Sequence, residues 1–166
     1  MKNLISNRLF YTLAALVLLN GCGFHLQARP ELPSQMQQTK LEVQDPYSRF
    51  ARRLETHLEQ SGVTVVSTSA GAAVLEVPVN TMRKEIQSIG DNARVREFLI
   101  RLTVQFRLLA SDGTELIPMQ TFEQSRIYSF NEQDILAAER EDEFLRNDLA
   151  DSLARMVVRR LGTYGK

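Results

Sequence analysis

Basic side chains lie on both sides of a turn predicted in the middle of the chain. Arg83 and Lys84 precede this turn, and Arg94 and Arg96 follow it. If the flanking segments pair as antiparallel strands, the four charges lie within a few residues of one another at one end of a sheet. Guanidinium and ammonium groups bind phosphate and carboxylate. The same stretch carries apolar side chains suited to acyl chains: Ile86, Ile89, Val95 and Phe98.

This pattern predicts a binding site for a phosphorylated lipid at that end of the sheet. The alternative is an edge strand whose charges prevent aggregation, because an uncovered edge otherwise pairs with other chains. The sequence alone leaves both interpretations open.

No set of residues suited to catalysis is found. The histidines are His25 and His57, and neither has a recognisable partner for a Cys–His or Ser–His–Asp arrangement. We therefore predict structural or solvated roles for both, with no distal partner that orients either imidazole. The acidic run at 139–143 lacks the Asp-rich loop and glycine of a calcium hand, and glycine-rich phosphate loops are absent. The sequence predicts no enzymatic activity, no metal and no cofactor.

Cys22, the only cysteine, follows a short apolar segment near the start of the chain. Lys2 and Arg8 form a positive region, residues 9–19 are largely apolar, and Gly21 is the small residue that a signal peptidase requires before its cut. The segment is too short to span a bilayer. It resembles bacterial lipoprotein signals, in which the cysteine is thioether-linked to diacylglycerol and the new amino terminus is acylated. The alternative is an ordinary secretory signal with a cysteine at its boundary by chance.

The residue after Cys22 bears on the destination of such a lipoprotein. Three acyl chains hold a protein on a membrane, because each buried methylene contributes about 0.8 kcal/mol. Position two of the processed chain is Gly23, whereas an Asp there resembles an inner-membrane retention signal. We therefore predict a signal peptide at residues 1–21 and a lipidated Cys22 in the outer membrane, on its periplasmic side.

Composition after residue 21 indicates a single domain. Removal of residues 1–21 takes away two of the 20 basic side chains and none of the 20 acidic ones, which leaves 18 and 20. The absence of a net positive charge argues against a general nucleic-acid binder. Residues 22–39 are rich in Pro and Gln and are predicted to form an extended tether. Residues 40–166 are predicted to form one domain.

The domain is predicted to contain two helices and several strands. A short strand is followed by a helix with Asp45 as N-cap and Pro46 as first residue, which continues to Gly62. Residues 63–66 form a second short strand. Turn residues at 90–92 and 112–113 then separate three long predicted strands, at 74–89, 94–110 and 114–130.

The middle long strand has the clearest alternation. Its apolar positions are Phe98, Ile100, Leu102, Val104, Phe106 and Leu108. One face is therefore predicted to be buried and the other solvated. Strands of this length reach roughly 50 Å, so we expect the hairpin at 90–92 to project past the core. Pro78 and Pro118 predict bulges or edge positions in the flanking strands.

The last helix is predicted from about Asn131 to Leu161, with Gly162 as its stop. Its core positions recur at helical spacing: Leu145, Leu149, Leu153, Met156, Val157 and Leu161, with Ile135, Leu136 and Phe144 as candidates to extend them. The predicted fold class is α+β. Two helices pack on one face of a mostly antiparallel sheet of four to five strands, several of them long.

The chain resembles the LptE family of lipopolysaccharide-assembly lipoproteins. The most specific likeness is the anchor segment GCGFHL at residues 21–26, where cysteine, glycine, an aromatic residue, histidine and leucine stand in the family's order. Residues 48–63, 98–104 and 126–131 match the family by position and pattern. The likeness covers most of the chain.

This resemblance implies an α/β domain that sits in the lumen of the LptD outer-membrane barrel, in a one-to-one complex, and helps lipopolysaccharide reach the outer leaflet. It also implies lipopolysaccharide binding through basic side chains near a sheet end and early in the last helix. Here those two family positions fall on Asp91 and Ala138. Basic residues close to these two positions are therefore the candidates for lipopolysaccharide binding: Arg94, Arg96 and Arg140, with Arg83 and Lys84 beside them.

Two other functions are compatible with a lipid-anchored periplasmic domain. One is an auxiliary lipoprotein of a phospholipid-transport ABC system, whose partner is an inner-membrane transporter instead of an outer-membrane barrel. The other is a periplasmic hydrolase, which requires a nucleophile and a base that the sequence does not visibly supply.

Overall fold

The computed structural model of the chain describes residues 31–90, 94–131 and 133–164. Cys22, the predicted signal peptide and Asp91 lie outside the described residues. The elements, in chain order, are a 3-10 helix at Ser34–Met36, β1 (Gln38–Val43), α1 (Arg49–Gln60), β2 (Thr64–Val66), β3 (Ala73–Ile89), β4 (Val95–Leu109), β5 (Glu115–Ser129) and α2 (Ile135–Gly162). Neither α-helix in this part of the chain is long and apolar enough to cross a membrane.

The strands form one sheet in the order β2-β1-β3-β4-β5. β1 is parallel to both β2 and β3, and α1 forms the crossover between β1 and β2. β3, β4 and β5 are antiparallel to one another. Both helices pack on the same face of the sheet. The predicted α+β class, with two helices on one face of a mostly antiparallel sheet, is confirmed.

The core lies between the helices and the inward positions of β4. Ile100, Leu102, Val104, Phe106 and Leu108 are all buried, as their alternation predicts. The helices contribute Phe50, Leu54 and Leu58 from α1, and Leu149, Leu153, Val157 and Leu161 from α2. Burial of these large apolar side chains, contributed by the sheet and by both helices, stabilises the fold.

One end of the sheet extends beyond β1, as the strand lengths predict. β1 pairs with β3 only as far as Val77, so the rest of β3 has β4 as its one paired strand in the described structure. We call this end the distal ribbon: residues 82–89 of β3, 95–101 of β4 and 125–129 of β5. Residues 83–87 of β3 are exposed. The register shifts in β3 and β5 span Pro78 and Pro118, which confirms the predicted irregularities.

The starts of both helices differ from the prediction. α1 begins at Arg49 with Ser48 as N-cap, whose hydroxyl accepts a hydrogen bond from Ala51 N at 3.1 Å. Asp45 instead begins a turn, held by the buried Asn80 of β3. Asn80 Nδ2 donates to Asp45 O at 3.0 Å and to Ser48 Oγ at 2.8 Å, so a tertiary contact decides the start of the helix.

The last helix starts later than predicted and ends slightly later. Its N-cap is Asp134, whose carboxylate accepts from Ala137 N, and not Asn131. Gly162 is its last residue, with Thr163 as C-cap. By contrast, Gly62 ends α1 as predicted. It has a φ of 88°, and Val63 N donates to Leu58 O at 3.1 Å in the hydrogen-bond pattern of a Schellman motif.

The folded part of the chain includes residues before Lys40, where the sequence places the start of the domain. Met36 is fully buried, and Thr39 is buried with its hydroxyl donating to Met36 O at 2.8 Å. Leu32 packs against the same core. An apolar side chain at Met36 therefore brings the end of the predicted tether into the fold.

Met36→Ala is expected to lower the free energy of unfolding by about 2–5 kcal/mol, because it leaves a cavity in the core. Met119→Ala is the matched control, since Met119 is 45% exposed, and its effect should be about 0.5 kcal/mol or less. Urea unfolding of both variants measures the difference. Equal effects would show that the segment at 34–39 does not contribute to the core.

Candidate anion-binding site

The distal ribbon divides the predicted basic cluster between the two faces of the sheet. Lys84 pairs with Ile100, whose side chain is buried under the helices, whereas Arg83 pairs with Arg101. Because side chains alternate along a strand, Lys84 lies on the helix face and Arg83 on the opposite, open face. Consecutive basic residues thus have different surroundings.

Lys84 is held against the last helix. Its Nζ lies 3.0 Å from Asp142 Oδ1, 4.1 Å from the centre of the Phe98 ring and 5.2 Å from that of Tyr128. The side chain nevertheless keeps 35% of its exposure. Partial burial lowers the pKa of Lys84, but hydrogen bonds with Tyr128 and Asp142 outweigh it, so the pKa lies above its ordinary value.

Asp142 is the centre of this contact. Its carboxylate also accepts a hydrogen bond from the Tyr128 hydroxyl at 2.9 Å and forms an ion pair with Arg146, one turn further along α2. Burial opposes ionisation of Asp142, but the hydrogen bonds from Arg146, Lys84 and Tyr128 prevail and lower its pKa to about 2. Asp142 is therefore ionised throughout the physiological range.

Arg96 is exposed and lies at a register shift of the β3–β4 pair, between Glu97 and Val95. It lies two residues before Phe98 on β4, and Phe130 N donates to Arg96 O at 2.7 Å. The Phe98 and Phe130 rings pack edge to face, with 5.3 Å between their centres. Arg94 lies at the start of the same hairpin arm, where Arg94 O accepts from Gly90 N at 2.8 Å.

Large apolar side chains are exposed at this end. Ile86 is 57% exposed and Ile89 is 61% exposed. Both are close in the strand register to Phe98 and Val95, respectively. Exposed apolar side chains therefore lie beside the basic residues at this end of the sheet.

The open face carries ion pairs. Arg101 pairs with Glu123 and lies 3.8 Å from Glu85. Further along the sheet, Arg107 Nε lies 2.6 Å from Glu76 Oε2. Arg83 is exposed beside this array, and among the described residues β3 has no strand paired on its outer side at that point. The surroundings of Arg83 fit the alternative interpretation, in which charged side chains keep an edge strand from pairing with other chains.

Arg140 lies on the exposed surface of α2, between Leu136 and Phe144 at one-turn intervals. Leu136 and Phe144 are each 68% exposed and Ile135 is 52% exposed, so the expectation that these three extend the core stripe is wrong. In this half of α2 the buried position is Ala138 instead. The first turns of α2 contact the sheet mainly through Ala138 and Asp142.

Sequence reasoning missed Asp142, Tyr128 and Arg146. The spacing of Asp142 and Arg146 is that of an ion pair within a helix, which is a local signal. Their connection to Lys84 and Tyr128 is tertiary, and no pattern in the sequence predicts it.

His57 has a partner that the sequence did not predict. His57 Nε2 lies 2.8 Å from Asp151 Oδ1, and Asp151 also pairs with Arg155. This contact links α1 to α2 and needs no catalytic explanation. Across residues 31–90, 94–131 and 133–164, no group of three or more metal-ligating side chains is found.

Comparison with known proteins places the chain among lipopolysaccharide-assembly proteins. A family model described as LptE, Lipopolysaccharide-assembly, matches residues 36–161. The LPS-assembly lipoprotein LptE of Photorhabdus laumondii is 27% identical over 150 residues, covering 90% of this chain and 81% of that protein. The protein of the same name from Yersinia pestis is 30% identical over 151 residues, covering 90% of this chain and 72% of its own length.

Solved structures share the fold. Lipoprotein B from Nitrosomonas europaea superposes with a TM-score of 0.72 at 24% identity, covering 86% of this chain and 92% of that one. A minor lipoprotein from Acinetobacter baumannii gives a TM-score of 0.64 at 23% identity, with coverages of 76% and 91%. At these identities the likeness supports the architecture alone.

Asp142→Asn is expected to destabilise the protein at neutral pH by about 2 kcal/mol, since the pKa of Asp142 is lower in the folded chain than in the unfolded one. The stabilisation is complete above about pH 5 and is lost as the pH falls from about 4 towards 2. Urea unfolding of the wild type and the variant from pH 7 to pH 3 shows whether their free energies of unfolding converge as the pH falls. Glu139→Gln, at an exposed carboxylate of the same helix, is the control. A pH-independent difference would contradict the ionic role of Asp142.

Proposed function

The chain belongs to the LptE family of lipopolysaccharide-assembly proteins, and we propose that it acts as an outer-membrane lipoprotein anchored through Cys22. In this proposal its domain occupies the lumen of the LptD barrel in a one-to-one complex. The distal ribbon binds the phosphorylated lipid A region of lipopolysaccharide as it moves to the outer leaflet. The role is not enzymatic.

The observation that carries the lipid-binding proposal is the combination of charge and apolar surface at one end of the sheet. Lys84 shares a face with Ile86 and Phe98, and Ile86 is more than half exposed. Arg96 is exposed two residues before Phe98. A phosphorylated lipid has an anionic headgroup joined to acyl chains, so one surface of this kind meets both parts. Arg94 lies beside this surface, while Arg83 and Arg140 are further candidates on the open face and on α2.

The open face supports a position inside a barrel. Lumens of outer-membrane barrels are polar. The open face presents the ion pairs of Arg101 and Arg107 together with threonines such as Thr103, whose hydroxyl donates to Glu123 at 3.1 Å. Such a surface is suited to a polar wall, whereas a large apolar face is suited to lipid.

The direction of the chain supports an anchor at the end opposite the proposed lipid site. β1 begins beside Ala73, at the start of β3, so the chain enters the fold at the end away from the distal ribbon. β3 has 17 residues and spans roughly 55 Å at strand spacing. The nine residues 22–30 reach at most about 30 Å when extended. An anchor in the inner leaflet therefore leaves the distal ribbon well inside a partner.

The family match favours this proposal over an auxiliary lipoprotein of a phospholipid-transport ABC system. The two proposals differ in partner, because that system requires an inner-membrane transporter.

The mature lipoprotein, co-expressed with the LptD barrel, is expected to co-purify with it from detergent-solubilised outer membranes at a one-to-one ratio. An unrelated outer-membrane lipoprotein with the same tag controls for co-purification that results only from sharing a detergent micelle. Densitometry of the purified complex gives the ratio. Recovery of a folded barrel without the lipoprotein would refute the proposed partnership.

The double variant Arg94→Ala, Arg96→Ala is expected to bind lipopolysaccharide about tenfold more weakly or worse, since hydrogen bonds to charged groups contribute about 1.5–3 kcal/mol each. Its thermal stability should stay near that of the wild type. The matched control is Arg53→Ala, Arg159→Ala, which removes two exposed arginines from the helices. Titration with fluorescent lipopolysaccharide measures the affinities. Unchanged binding would assign Arg94 and Arg96 to protection of the ribbon.

A further inference from the structure

We propose that Asp142 masks Lys84 in the lipid-free protein, and that a phosphate group of the bound lipid displaces Asp142 and takes the Lys84 ammonium. This inference rests on the proposed lipid-binding function of the distal ribbon and adds an internal competitor to it. The pair is thus an autoinhibitory contact that an anionic ligand releases.

The first argument is that Asp142 can lose Lys84 without being left unpaired. Three side chains supply donors to its carboxylate: Lys84, Arg146 and the Tyr128 hydroxyl. Breaking a buried ion pair is costly when it leaves an uncompensated charge. Here Arg146 and Tyr128 still satisfy the carboxylate after Lys84 departs, so the cost of release is small.

The second argument is that the pair is not needed to hold α2 on the sheet. Tyr128 of β5 already bonds to Asp142, and Arg126 of β5 lies 2.9 Å from Asp148 one to two turns further along the helix. Ala138, one turn before Asp142 on the helix, packs in the core as well. Lys84, in contrast to Tyr128 and Arg146, reaches Asp142 from β3, which is an edge strand here within the described structure.

The third argument is that Lys84 can reach a ligand on the helix face of the ribbon. Its ammonium lies over the Phe98 ring and ends a flexible four-carbon stem, so the head group can turn towards a ligand. Ile86, the next side chain on this face towards the ribbon tip, is exposed. A lipid whose acyl chain covers Ile86 therefore brings its headgroup close to Lys84, which lies two residues away on the same strand face.

The trigger is an anion and not a proton. The pKa of Asp142 is lowered to about 2, so acidification within the physiological range leaves the carboxylate charged. A phosphate carries more negative charge than a carboxylate and accepts several hydrogen bonds at once, which makes it the stronger competitor for an ammonium group.

The first test is a double-mutant cycle with the full mature lipoprotein in non-ionic detergent, titrated with fluorescent lipopolysaccharide. Asp142→Asn is expected to tighten binding by about threefold to tenfold, as for one freed charge-assisted contact. Lys84→Gln should weaken binding, and Asp142→Asn should have no further effect in that background. Glu139→Gln controls for a general loss of negative charge.

A gain from Asp142→Asn that persists with Lys84→Gln would overturn the inference, because the gain would then be general electrostatics. A folded Asp142→Asn variant with unchanged or weaker binding would overturn it as well. Failure of the wild type itself to bind lipopolysaccharide is a different result, which refutes the proposed function.

The second test keeps the wild-type fold. Lys40, Lys84 and Lys166 are the lysines after residue 21, so reductive methylation with a ¹³C label gives few NMR signals, and Lys84→Arg identifies that of Lys84. The Phe98 and Tyr128 rings should shift this signal in the free protein. Saturation with lipopolysaccharide is expected to move it, while dephosphorylated lipopolysaccharide is not. An unmoved Lys84 signal at saturation would show that the pair with Asp142 persists.

Discussion

The alternation of β4 is the constraint on which the rest of the structure depends. Its inward side chains, including Ile100 and Leu102, belong to the same core as the buried residues of both helices, and a shift of one residue would turn all of them towards solvent. Because β4 lies between β3 and β5, its register decides which face each neighbouring side chain takes. Lys84 is thereby opposite Ile100 under α2, and Arg83 is opposite Arg101 on the open face. The packing of the core therefore decides that Lys84 and Arg83, although adjacent in sequence, lie on opposite faces of the sheet.

The long strands and the fold class could be predicted because their signals are local. The burial of β4 alternates from Ile100 to Leu108, and the turn that follows β4 contains Gly113 with a φ of 85°. The start of α1 could not be predicted in the same way. Asp45 and Ser48 are both good N-caps in isolation. The choice between them is made by Asn80, which comes from another element and bonds to both.

The candidate site could be predicted only in part, because its basic residues give a local signal and their partners do not. The sequence places basic residues near a turn, and the register of β3 with β4 brings them to one end of the sheet. It does not reveal which of them is already paired. The partner of Lys84 is Asp142, on a helix whose crossing of the sheet is set by buried positions such as Ala138 and Leu149. Tertiary packing, which local patterns do not define, therefore decides that Lys84 is paired with Asp142.

The two ends of the molecule are held together by different interactions, and this difference bears on where a ligand can act. Towards its C-terminal end, α2 is fixed by apolar packing of Leu153, Val157 and Leu161, which are fully buried. A close-packed core tolerates little rearrangement. At the distal ribbon the same helix is fixed by the small buried side chain of Ala138 and by hydrogen bonds and ion pairs of Asp142. Such contacts can be exchanged for those of a charged ligand without opening a cavity. The contacts that the proposed anionic lipid displaces therefore lie at the distal end, away from the close-packed part of the core.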